Sequence, residues 1–181
     1  MKGINLHIYP TIGFSQSRIL RETKSIIDYN VVDQIVIAAI WEKGILKNEV
    51  IDTQRTIKRF ELFMGRFRKN SLTQTLKYIE FILKVFWFYR TQKLTYLNCH
   101  SLWMLPIGVL LKKYGKAKLL IYDTHELETE RVGLKGTQQR IARWLEKNLI
   151  SHVDRTVVVC QPIADWYRRV YGLKNIYVIQ N

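Results

Sequence analysis

Cysteine is nearly absent from this chain: among 181 residues only Cys99 and Cys160 carry a thiol. They form neither a CxxC pair nor a Cys/His ligand spacing, which argues against a disulfide framework and a zinc site. Both close predicted strands and read as small buried hydrophobes of a reducing compartment. Long apolar runs are missing as well. None approaches the roughly 20 residues of a membrane-spanning helix, and the amino-terminal MKGINLHIYP lacks the apolar core and cleavage site of a signal peptide. A cytoplasmic protein is expected, either free or peripheral at the inner face of the cell membrane. Acidic residues are scarce: 15 Asp and Glu stand against 29 Lys and Arg, a formal charge of +14. Such a chain is drawn to polyanions, whether nucleic acid, anionic lipid or a phosphorylated substrate. For nucleic acid, charge is the only support, because no binding motif is present and the aromatics fall in helices.

What is present is organised around Leu119 to Arg131, LLIYDTHELETER. Four apolar residues run into Asp123, Thr124, His125 and Glu126, the profile of a buried strand that places its polar residues at its carboxyl end. Open α/β sheets put their sites there. Upstream, Tyr96 to Cys99 forms a strand ending in His100, followed by Ser101 and a helix from Leu102 to Tyr114 closed by Gly115. Downstream come a helix over Thr137 to Ile150, a strand over Asp154 to Cys160, a helix from Pro162 to Tyr171 and a last strand over Ile176 to Ile179. The first third supplies strands at Ile4 to Tyr9 and Gln34 to Ile40 and a helix ending near Ile27, with a short edge-like strand within Glu49 to Ile57. Strands alternating with helices predict one α/β domain, a doubly wound parallel sheet of Rossmann-like type.

Several candidates follow from this layout. His100 and His125 end consecutive strands, so a parallel sheet opens both on one edge with Asp123, Glu126 and Ser101 beside them, a set suited to a sugar or phosphate. Each histidine alone is more often structural; their shared location is the signal. No GxSxG elbow suggests a hydrolase, and no ligand spacing suggests a metal. Gly13, before the first helix, lets backbone approach a phosphate or simply makes a turn, and Arg18 and Arg21 on that helix face an anion or water.

From Arg55 to Lys69 the cations Arg55, Lys58, Arg59, Arg66, Arg68 and Lys69 surround Ile57, Phe60, Phe63, Met64 and Phe67 at helical intervals. This predicts an interfacial basic helix against an anionic membrane, or else a core-facing helix with a solvated basic side. The next helix runs from Ser71, its cap, to about Arg90, and its part from Tyr78 to Tyr89 is apolar around nearly its whole circumference. It is either buried on several sides or in contact with lipid.

The succession TYLNCHSLWMLPIGVLLKKYGKAKLLIYDTHELETE and RWLEKNLISHVDRTVVVCQPIADWYRRVYGLKNIYVIQN resembles the amino-terminal domain of GT-B glycosyltransferases of family four. The motif positions are His100, then Tyr122, Asp123, His125, Glu126 and Leu127, then Glu146, Asp154, Arg155, Ile163, Ala164, Tyr171, Gly172, Ile179 and Asn181, and SRILRE at Ser17 to Glu22 is similar to the start of the same subgroup. Two positions depart from the pattern: Ile12, Gly13, Phe14 replaces a double glycine, and Cys160 a common serine. The resemblance implies retaining sugar transfer from a nucleotide sugar, His100 touching the donor sugar as the catalytic-site residue and Gly13 lying near the donor phosphates. Gly13, Arg18, Ser101, Asp123, His125 and Glu126 then form the acceptor- and donor-binding set. It also implies a sugar or lipid-linked acceptor, no cofactor within this domain, and a carboxyl-terminal donor-binding domain beyond Asn181. Two other readings remain: a non-catalytic carbohydrate- or partner-binding module of that descent, and a basic nucleic-acid-binding α/β protein.

Overall fold

The βα rhythm closes into one sheet. The computed structural model describes residues 3–12, 17–67, 70–115 and 117–180; Gly13, Phe14, Arg68, Lys69 and Asn181 lie outside them. The strands are β1 (Ile4–Ile8), β2 (Gln34–Ile40), β3 (Asn48–Val50), β4 (Arg55–Phe60), β5 (Leu94–Cys99), β6 (Leu119–Thr124), β7 (Arg155–Val158) and β8 (Ile176–Val178). They lie in the order β3-β4-β2-β1-β5-β6-β7-β8, all parallel except β3, which pairs antiparallel with β4. The helices are α1 (Ser17–Asp28), α2 (Ser71–Tyr89), α3 (Leu105–Tyr114), α4 (Gly136–Leu149) and α5 (Gln161–Tyr171). The doubly wound parallel architecture expected from the sequence is therefore present.

Right-handed crossovers decide which helix covers which face. The chain leaves β1 for β2 in one direction, and from β5 onward it moves in the other. Helices α2 to α5 accordingly share one face, where Phe81, Val85, Leu105, Leu111, Ala142 and Tyr167 pack on Leu6, Ile8, Leu97 and Tyr122 in the large core. On the opposite face Ile19 of α1 packs with Ile37, Ala39 and Ile57 in a smaller cluster. The strand order reverses between β1 and β5, which is where open sheets of this kind form their crevice. Close approach of α3 to the sheet depends on Gly108, since a Cβ there would lie 2.5 Å from the Cys99 sulfur.

Local chemistry explains most boundaries. Helix α2 starts from a capping box: the Asn70 side chain accepts from the Thr73 amide, and the Thr73 hydroxyl accepts from the Asn70 amide. The cap is thus Asn70, one residue before the expected Ser71. Helix α5 ends at Gly172 in the left-handed region, φ 65°, as its glycine suggested. A polar knot inside the core joins three elements: Glu146 on α4 accepts from the hydroxyls of Tyr122, Tyr167 and Tyr171 at 3.1, 2.7 and 2.9 Å.

The basic stretch is where the structure departs from expectation. Arg55 to Phe60 is not a helix but strand β4, inside the sheet between β2 and β3. Among the described residues of the stretch, only Phe63–Arg66 winds helically, as a single 3-10 turn. Arg59, expected to face a membrane, is 3% exposed; its guanidinium donates to the carbonyls of Ile12 and Leu46 and pairs with Glu49 at 2.7 Å. Arg55 is held by Asp52 and by the Leu20 carbonyl. These two are structural cations, whereas Lys58 and Arg66 stay at the surface. Among the described residues no helix is long and apolar enough to cross a membrane.

A membrane-facing cation can be replaced without loss of stability, but a buried one cannot. Arg59→Met should therefore lower stability by about 2 kcal/mol, discounted because Glu49 keeps some solvent. Chemical denaturation of the purified variant checks this; a midpoint equal to that of the parent would contradict the structural role.

Candidate functional site

Strand parity builds the site. On β1 and β5, Leu6, Ile8, Leu97 and Cys99 belong to the large core, so the alternating Asn5, His7, Asn98 and His100 point to the α1 side. His7 and Asn98 are register partners across the β1/β5 boundary where the strand order reverses. Polar residues in the middle of buried strands must find partners, and these find each other.

The result is one directed string. The Asn98 amide gives one hydrogen to Asn5 Oδ1 at 2.8 Å and one to His7 Nε2 at 3.0 Å. His7 Nε2 is then an acceptor, which leaves its proton on Nδ1, 2.8 Å from His100 Nε2. His100 in turn carries its proton on Nδ1, 3.0 Å from Asp123 Oδ2. Arg18 on α1 closes the string, with Nη2 2.9 Å from Asp123 Oδ1 and Nε 3.3 Å from Oδ2, and its Nη1 donates to the Ile179 carbonyl after β8.

The charges follow from this geometry. Burial opposes ionisation of Asp123, but the bond and charge of His100 and those of Arg18 outweigh it and hold the carboxyl well below the usual range. Burial likewise opposes a charge on His100, while the Asp123 bond and the Glu22 carboxylate favour one and raise its pKa; ionisation would set a second proton on Nε2 against that of His7 Nδ1, so the directed string belongs to the neutral ring. His7 is driven down by burial and by His100 and stays neutral. Burial raises Glu22, whose Oε2 has no hydrogen-bond partner among the described residues.

His125 stands in front of this string. Its Nε2 is 3.6 Å from Asp123 Oδ2, too far for a hydrogen bond, and has no partner among the described residues. Burial lowers its pKa, so at neutral pH it is an imidazole able to give or take one hydrogen bond. Thr124 shapes the turn by donating its hydroxyl to the Glu126 carbonyl. Arg131 then bridges exposed Glu126 at 2.9 Å and buried Glu128 at 3.1 Å. Tyr9 completes the rim, edge-on to His100 at 6.0 Å between ring centres.

The expected residues therefore occupy different positions. Arg18, Asp123, His100, His125 and Glu126 do converge on one edge. His100, however, is 2% exposed with both ring nitrogens bonded, and lies behind the surface rather than on it. Ser101 caps the turn after β5 by accepting from the Trp103 amide. Gly13 lies outside the described residues. His7, Glu22, Tyr9 and Arg131 were missed; the signal for His7 was a histidine and an asparagine alternating with core residues in INLHI. Ligand atoms of His100, Asp123 and His125, and of His7, Glu22 and His100, lie within 4.8 Å of one another. Arg18 already supplies Asp123 with its positive charge, and both His100 nitrogens are engaged, so these sets do not suit a cation.

A family model described as Glycosyltransferase Family 4 matches residues 33–181. No curated protein sequence matches the chain. Among solved structures, one of sucrose-phosphate synthase from Thermosynechococcus elongatus superposes with a TM-score of 0.66 at 11% identity, covering 98% of this chain and 88% of that one. A second structure of sucrose-phosphate synthase from that organism gives a TM-score of 0.73 at 10% identity over 98% of this chain, which spans 48%, about half, of that chain.

Two tests follow. Asp123→Asn leaves the Arg18 charge buried without a counter-charge and should cost about 3 kcal/mol at neutral pH. Because the folded-state pKa of Asp123 is depressed, its contribution is complete above the unfolded value of about 4 and is lost as pH falls further; the variant's stability should fall less steeply below that pH, as melts between pH 2 and 7 would show. His100→Ala strands the His7 proton and one Asp123 oxygen and should cost about 2 kcal/mol, while His125→Ala should leave the melting temperature near that of the parent.

Proposed function

The chain belongs to glycosyltransferase family 4, and from that premise we propose that it is the acceptor side of a retaining, nucleotide-sugar-dependent enzyme acting on a cell-surface polysaccharide or lipid-linked glycan. The nucleotide sugar is held by a carboxyl-terminal donor domain outside these 181 residues.

One observation carries this reading: among the described residues, the cations at the site edge already have partners. Arg18 is paired with Asp123 and Arg131 with Glu126 and Glu128. A diphosphate needs free cations or open amides, whereas this edge offers hydrogen-bonding groups of matched charge: the imidazole of His125, the Glu126 carboxylate and the phenol of Tyr9. Such groups suit the hydroxyls of a sugar. His125 binds an acceptor hydroxyl, and His100 acts through Asp123 and His7 as a positioning residue behind it. The span of about half of a sucrose-phosphate synthase chain is consistent with a second, donor-holding half.

Calorimetry on the 181-residue chain with uridine and guanosine diphosphate sugars should show binding no tighter than about millimolar. Micromolar binding would place the donor grip here and overturn the assignment. In the protein that carries both halves, His125→Ala should lower kcat/KM for the acceptor by about a hundredfold with an unchanged melting temperature; unchanged kinetics would remove His125 from the site.

A further inference from the structure

Helix α2 has two apolar faces. The inner one, Phe81, Val85 and Tyr89, is fully buried in the large core, where Phe60 of β4 packs edge-on against Phe81. The outer one is a stripe in solvent: Leu72, Ile79, Leu83 and Trp87 are 67%, 47%, 50% and 62% exposed. With Leu76 these residues recur at four-, three-, four- and four-residue steps along one side of the helix, about 22 Å end to end. Phe63 and Phe67, stacked edge to face at 5.3 Å, extend it on one flank, and Tyr114, against Phe86, on the other.

Cations rim this stripe. Lys58 lies 4.1 Å over the Phe88 ring and Arg90 4.1 Å over Trp87, while Lys113 lies near Tyr114. Lys84 and Arg66 border the β4 flank together with Lys58, and Lys113 on α3 the other. Apart from Arg55 and Arg59, which face α1, the chain between residues 58 and 93 has eight Lys and Arg and two acids. Both acids are tied in: Glu80 to Lys84 and to the amides of Phe63 and Met64, Glu61 to Lys47 and Arg66.

We infer that the outer face of α2 docks on an anionic lipid bilayer, with its aliphatic stripe and aromatic flanks in the headgroup boundary and the surrounding Lys and Arg against lipid phosphates. An apolar stripe with aromatic edges and a basic rim is the composition that lies in such an interface. Charge argues against the other occupant, a second copy, because a symmetric contact through this face would oppose cations to cations. Each cation near an anionic membrane contributes about 1 kcal/mol, so the rim is sufficient for reversible attachment. The inference concerns α2 alone and does not depend on sugar transfer.

The experiment is co-sedimentation of the 181-residue chain with vesicles of phosphatidylcholine, with and without phosphatidylglycerol, at low and high salt. Binding should require phosphatidylglycerol and weaken with salt. Leu83→Glu with Trp87→Glu, and separately Leu72→Glu, should reduce the apparent affinity by about tenfold or more without shifting the melting temperature. A control pair with the same charge change at exposed positions elsewhere, Tyr29→Glu with Leu46→Glu, should retain most of the binding. Equal losses for the stripe and control pairs would mean that net charge alone attracts the protein and would overturn docking through α2. So would a parent that ignores the vesicles and sediments as a dimer that Leu83→Glu with Trp87→Glu dissociates.

Discussion

The ion pair between Arg18 and Asp123 holds the site together. Asp123 is fully buried at the end of β6, where an isolated carboxylate would be too costly to keep ionised. Arg18 reaches it from α1 across the β1 and β5 strand ends, and the same guanidinium holds the Ile179 carbonyl after β8. One side chain thus joins the first helix, β6 and the segment that follows the last strand. His100 and His7 take fixed tautomers because the ionised Asp123 fixes one end of their string and the Asn98 amide the other. Losing the charge would release the order of all four.

This arrangement separates support from contact. His100 cannot be both the anchor of Asp123 and a free surface group, since each ring nitrogen already has a partner. The exposed role passes to His125, two residues along the chain from Asp123, whose ring meets His100 edge-on at 6.0 Å. A rigid buried layer behind a half-exposed imidazole is the layout that keeps a binding group aligned without using its own hydrogen bonds.

Much of this was legible in the sequence because it was local. Strand ends carrying His100 and Asp123 are a pattern of neighbours, and a parallel sheet brings such ends to one edge. Arg59 was not legible, because its place depends on distant partners. In β4 the residues Ile57, Phe60, and the cations between them fit a helical period as well as an alternating one, and the sequence favoured a helix over Arg55 to Lys69. What makes a strand of it is Glu49 on β3 and the carbonyls of Ile12 and Leu46, 10 to 47 residues away, which together satisfy a buried guanidinium. His7 was overlooked for the same reason: its partner Asn98 is 91 residues on.

The charge of +14 is unevenly placed, and that gives the molecule a direction. At the site edge Asp123, Glu126 and Glu128 are balanced by Arg18 and Arg131. Leaving out Arg55 and Arg59, which face α1, the chain from Lys58 to Lys93 has eight Lys and Arg and two acids. In the field of a negatively charged surface such a molecule turns its basic flank inward before contact, over distances of about a Debye length, roughly 8 Å at physiological ionic strength. Tyr78, on the early turns of α2, lies close enough to Arg131 and Glu128 to feel their charges. The start of the exposed stripe and the rim of the site therefore belong to one end of the molecule, so an orientation set by charge also sets which surface the site overlooks.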